Sequence, residues 1–143
     1  MRTVCFLLLS FMSFLGAVAA SEVDVSNATV RQPLPGKTLS AGYFSMKNTG
    51  TAPISLLGVS SPQFNSIELH SHQMVDGMMQ MVQVGQIDIA PGQSVHLQPG
   101  GLHLMLFGPS SVIQPGQQVP LRLRWSDGTE QSVSASVTRI PKQ

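Results

Sequence analysis

Apolar and polar residues alternate in short bursts along this chain, and no stretch beyond the first twenty residues keeps an apolar period of 3.6 for the ten or more positions a helix needs. Alternation with period two, rich in Val, Ile, Leu and Phe, predicts strands. They fall at Val25 to Arg31, Leu39 to Lys47, Ile54 to Ser60, Ser66 to His72, Met78 to Val84, Ser94 to Leu97, Leu102 to Phe107, Val119 to Ser126 and Gln131 to Ile140. Turn chemistry separates them: Asn48-Thr49-Gly50, Asp76-Gly77, Pro91-Gly92, Pro99-Gly100-Gly101, Pro115-Gly116 and Asp127-Gly128 supply the positive or preset φ of tight turns. About nine short strands at this spacing predict an all-β domain, a Greek-key barrel or sandwich.

The first twenty residues follow a different pattern. Arg2 precedes an apolar run from Val4 to Leu15 and the small-residue stretch Gly16-Ala17-Val18-Ala19-Ala20. This is the form of a cleavable secretory signal peptide, too short and wrongly flanked for a stable membrane anchor. Residues 1–20 are expected to be removed on export, leaving 21–143 as a single domain in the periplasm. Cys5, the only cysteine, leaves with the leader, and no small residue directly precedes it as a lipoprotein processing site requires. Thiol and disulfide chemistry are thereby excluded from the mature chain.

Composition narrows the function classes further. Eight Lys and Arg against seven Asp and Glu give a net charge of +1, with no basic cluster, which excludes a nucleic-acid-binding footprint. At 143 residues there is room for one core.

The unusual feature is where the histidines and methionines lie. All four histidines, His70, His72, His96 and His103, fall within 34 residues, and Met74, Met78, Met79, Met81 and Met105 share their region. Between positions 70 and 105 there is no Lys or Arg, and the nearby carboxylates are Glu68, Asp76 and Asp88. Acid–base catalysis has little to work with, so an enzyme is not expected. Imidazole and thioether without thiolate form the soft, neutral donor set that suits Cu(I). Strand parity groups them: His103 with Met105, Met79 with Met81, and His70 with His72 each leave one face, while Leu102, Leu104 and Leu106 leave the other. Three neighbouring strands can therefore converge on one ion.

The spacing His70, ten residues, Met81, twenty-one residues, His103, one residue, Met105 resembles the H-x10-M-x21-H-x-M signature of the periplasmic CuA chaperone family, PCu(A)C. The stretches AGYFSMKNTG (41–50), IELHSHQMVDGMMQM (67–81) and LQPGGLHLMLFG (97–108) are similar to the family's as well. The resemblance implies a cupredoxin-like β fold lacking an electron-transfer site. It also implies one Cu(I) per chain held by His70, Met81, His103 and Met105, and delivery to the CuA centre of cytochrome c oxidase. The implied partners are the apo CuA domain or a thiol-containing assembly factor, with the carrier itself a monomer. Periplasmic copper sequestration without a dedicated acceptor is the alternative function. A bulge would exchange His70 with His72 or Met81 with Met79. His72 is an alternative or transient ligand, and Met74, Met78 and Met79 are packing or a soft rim. His96 alternates with Val95 and Leu97 and is expected to face solvent. Some relatives carry a His- and Met-rich C-terminal tail; the ending Ile140-Pro141-Lys142-Gln143 has neither donor, so a single site is expected.

Overall fold

The computed structural model describes residues 21–140, so the leader expected over 1–20 and the last three residues lie outside the described part. Ten strands and no helix occur among the described residues: β1 (Val23–Arg31), β2 (Leu39–Asn48), β3 (Ile54–Ser60), β4 (Phe64–Val75), β5 (Met78–Gln83), β6 (Ile87–Ile89), β7 (Ser94–His96), β8 (His103–Pro109), β9 (Gln118–Trp125) and β10 (Glu130–Thr138). The all-β expectation holds. The tenth strand is β6, whose three residues between Gly85 and Pro91 are too few to show a period. It exists because Ile54 and Leu56 of β3 pair with Ile89 and Ile87. The buried Asn48 side chain secures the junction by donating to the carbonyls of Ala52 and Ile89.

One sheet runs in the order β5-β4-β8-β2-β1-β10-β9-β3-β6, with β7 pairing on β2 off this path. Its neighbours are antiparallel except β1 and β10, which run parallel (Thr29 facing Ser136). The sheet curls until β3 and β4 lie side by side, yet no ladder joins them, and it stays open between its edge strands β5 and β6. This is an opened form of the expected barrel, with the cupredoxin-like layout.

The concave side is the core. Alternation along β9 buries Val119, Leu121, Leu123 and Trp125, and β2 adds Phe44 and Met46. Met46, the methionine outside the His/Met region, is thus a packing residue. On β8, Leu104 and Leu106 are fully buried, a burial that stabilises by about 1.5–3 kcal/mol per side chain. Gly42 of β2 makes room for them: a Cβ there would meet Leu106 Cδ1 at 3.1 Å and Leu104 Cδ1 at 3.3 Å. The leucines hold β8 in place, and parity then turns His103 and Met105 to the opposite face.

The β4–β5 hairpin closes through Asp76 (φ 50°) and Gly77 (φ 77°), both left-handed, as a two-residue type I′ turn demands. That turn sets the pairs Met74–Met79, His72–Met81 and His70–Gln83.

Candidate metal centre

The strands β5, β4 and β8 lie side by side, and their registers place every donor of the His/Met region except His96 and Met78 on one face. His70 of β4 faces His103 of β8, while Glu68 faces Met105. On the other flank His72 faces Met81 of β5. Met105 also faces Ala41 of β2 and lines a shallow cleft with Arg31, Leu34 and Leu39. Met81 is 47% exposed and His103 only 4%, so the face grades from a covered imidazole to an open thioether within two strands.

Hydrogen bonds fix the ring states. His103 Nδ1 lies 2.9 Å from the Gly101 carbonyl oxygen, which can only accept, so Nδ1 carries the proton and Nε2 keeps its lone pair. His70 Nε2 donates to Glu68 Oε2 at 2.8 Å, which leaves Nδ1 as the free nitrogen. Carbonyl and carboxylate partners of this kind orient metal-binding histidines and raise their basicity. The nitrogens left over, His70 Nδ1 and His103 Nε2, are buried and without a hydrogen-bond partner, and so is His72 Nδ1. Buried polar atoms are ordinarily satisfied, so three orphaned nitrogens on one face point to a ligand.

The rings are already close. His103 stands 5.9 Å from His70 and 5.1 Å from His72, centroid to centroid, with tilts of 34° and 35°. Burial holds the His103 imidazole below its ordinary pKa, the Gly101 bond opposing this and the neighbouring His72 and His70 adding to it. A neutral imidazole is what a metal ion requires. Among the described residues no three His, Cys, Asp or Glu side chains are drawn together closely enough to hold an ion by themselves. The thioethers, or a small ring movement, are needed.

The structure therefore brings His70 and His103 into direct register and lays Met81 and Met105 on their face, each two register positions away, in opposite directions along β4. His72, weighed in the sequence only as an alternative, lies nearer to His103 than His70 does. Glu68 and Gly101 went unassigned as orienting groups. Both sit two positions before a candidate ligand, a spacing that in a strand keeps Glu68 on the face of His70. His96 faces solvent on β7, as alternation predicts, with Nδ1 2.8 Å from Ser45 Oγ. Met74, Met78 and Met79 are exposed at the hairpin tip, where none packs in the core.

Glu68→Gln keeps the shape and a hydrogen-bond acceptor but removes the charge that fixes the His70 ring. A loss of about 10–100-fold in copper affinity is expected, as for other partners of metal-bound histidines. Chelator competition on the wild type and the variant measures it, and equal affinities would remove Glu68 from the site.

The family described as "Putative lipoprotein LpqE-like" matches residues 23–137 of this chain. "Putative lipoprotein Lxx21020" of Leifsonia xyli subsp. xyli is 34% identical over 120 residues, covering 82% of this chain and 70% of that protein. The solution structure of CuI-DR1885 from Deinococcus radiodurans is similar at 31% identity and a TM-score of 0.62, covering 87% of this chain and 83% of that one. The copper-bound PCuAC domain from PmoF2 shares the fold at a TM-score of 0.72 and 24% identity, over 85% of this chain and 97% of that domain. The strand order, the face shared by β5, β4 and β8, and the profile match over residues 23–137 together show that this chain belongs to the LpqE-like family and has the PCuAC fold.

Proposed function

We propose that this protein is an exported Cu(I) carrier that holds one ion with His70, Met81, His103 and Met105 and passes it to an acceptor, the apo CuA domain of cytochrome c oxidase or a thiol-containing assembly factor. The observation that carries this reading is the pair of orphaned nitrogens, His70 Nδ1 and His103 Nε2, on a face that also bears the thioethers of Met81 and Met105 and no cationic side chain between positions 70 and 105. Neutral nitrogen and sulfur donors fit Cu(I). The copper-bound relatives support the ion, and the signal-like first twenty residues together with the lipoprotein names among relatives support export to the periplasm.

Retention and release come from the same gradient of exposure. His103 is covered and oriented, while Met81 stands open at the edge of the sheet. An acceptor's thiolates can displace the outer thioether first, then compete for the imidazoles. Using no thiol of its own protects the site from disulfide formation in an oxidising compartment.

Met105→Leu keeps the volume and apolarity of the strand while removing the thioether, so the fold persists and Cu(I) affinity falls. His96→Ala changes neither. Anaerobic titration against a competing Cu(I) chelator tests both, with one ion per wild-type chain expected. Equal losses in the two variants would sink the ligand set. Mixing the Cu(I) form with an apo CuA domain then separates delivery from sequestration: transfer supports the carrier, and retention favours a storage protein.

A further inference from the structure

We propose that the cleft beside Met105 is the docking surface for the protein that accepts the copper, and that it takes from that partner an apolar side chain flanked by carboxylates. This rests on the carrier reading above and adds to it where, and by what chemistry, the acceptor is held.

The distribution of exposed apolar side chains carries the first step. Eight large hydrophobic residues are exposed among the described residues, and four of them are the methionines of the β4–β5 hairpin. The other four gather in one place. Leu34, Leu39 and Ile140 line the cleft with Met105, and Val112 lines a second hollow that shares Gln32 and Leu34 with it. A contiguous apolar patch on a folded domain marks an interaction site, whereas single exposed residues do not.

Shape carries the second. Alternation along β2 turns Leu39, Ala41 and Tyr43 to the outer face and sends Phe44 and Met46 into the core. Ala41 faces Met105 across β2–β8, and its single methyl group floors a hollow of about 270 Å³ walled by Leu34 and Leu39. An aliphatic or aromatic side chain seated there touches Met105. Docking thus brings the acceptor against one of the proposed ligands.

Charge carries the third and chooses the occupant. Arg31 lines the cleft and Lys37 the second hollow, and no carboxylate lines either. The ion pairs among the described residues are His70–Glu68 and Arg122–Glu130, so neither cation is in one. Glu68, which faces Met105 from β4, is engaged by His70. The Arg31 guanidinium lies 5.1 Å from the centroid of the Tyr43 ring, and its backbone carbonyl accepts from the Ser40 hydroxyl. A guanidinium held in advance loses less freedom on taking a carboxylate, which it binds through two N–H groups. A second copy of this face would set cation against cation. A bilayer would cover Leu34 and Val112 without filling a hollow floored by Ala41. An acidic protein surface with a protruding apolar side chain satisfies both the charge and the shape.

The test titrates isotope-labelled apo protein with the apo CuA domain of cytochrome c oxidase by nuclear magnetic resonance, at low and at high salt. Wild type is compared with Arg31→Glu, Leu39→Ser and Lys47→Glu, the last making the same charge change on β2 away from the cleft. Shift changes should concentrate on Leu34, Leu39 and Ala41. Arg31→Glu should weaken the complex about tenfold at low salt and less at high salt, Leu39→Ser about tenfold at either, and Lys47→Glu less than about twofold. Equal binding by wild type, Arg31→Glu and Leu39→Ser overturns the proposal, as does an equal loss in Lys47→Glu or the absence of any complex. Self-association, or binding to phosphatidylglycerol vesicles, that is lost in Leu39→Ser while the CuA titration is unchanged gives the face to a second copy or a bilayer and also overturns it. Chelator competition on the same samples reads the carrier separately: wild type that fails to hold Cu(I) overturns the carrier reading, while the titration of apo protein still decides docking. Leu39 and Lys47 are exposed and Arg31 half-buried, and circular dichroism confirms the fold of each variant.

Discussion

Cu(I) affinity should fall as pH is lowered from 8 to 5, with about a thousandfold as the bound that two free imidazoles in solution, of reference pKa about 6.5, would set. Thioethers do not titrate, so the whole effect belongs to His70 and His103. Burial holds His103 below the ordinary value, and its share of the loss is displaced to lower pH. The drop is therefore smaller than the bound and shallower at first. The sign for the apo fold follows from the same shift. A folded state that binds its proton less readily than the unfolded chain is fully stabilised above about pH 6.5 and loses that contribution as pH falls toward the lowered value. The apo protein should thus remain folded at pH 5 but melt slightly earlier. Apparent affinity against pH, corrected for protonation of the chelator, measures the first effect, and thermal melts measure the second. A flat affinity profile between pH 5 and 8 would remove both histidines from the site.

His103→Asn should lower Cu(I) affinity by about a hundredfold or more, roughly 2.7 kcal/mol. The amide nitrogen of asparagine can donate to the Gly101 carbonyl as Nδ1 does, while nothing replaces Nε2. The substitution thus separates the ligand from the strut. Because the leucines on the other face anchor β8, the apo fold should survive with a modest loss of stability. Chelator competition and circular dichroism on the same sample decide the outcome. Unchanged Cu(I) affinity in a folded variant would show that the buried Nε2 is not a ligand.

Much of the fold was legible because the strands on which the site is built alternate cleanly. Ile54–Ser60 has the bounds its pattern predicts, and the β8 parity that separates His103 and Met105 from Leu104 and Leu106 is present as read. What was not legible is non-local. Strand β6 owes its existence to pairing with β3, and the parallel contact of β1 with β10 joins segments a hundred residues apart. The same limit applies at the site. Parity places His70 and His72 on one face without ranking them, since both satisfy a period of two. Only the registers of β4 with β5 and β8, set by partners elsewhere in the chain, put His70 opposite His103 and His72 opposite Met81.

The turn at Asp76 and Gly77 acts as the gauge of the site's chemical softness. It supplies none of the four proposed ligands, yet its two left-handed residues decide which residue of β5 stands across from His72. A slip of one position there would put Gln80 or Val82 where Met81 stands, an amide or a hydrocarbon in place of sulfur. On the ligand set proposed above, the metal preference of this face depends on backbone handedness at a turn that supplies none of the ligands. Lengthening the hairpin by a single residue would be a route to a different cargo with every histidine left in place.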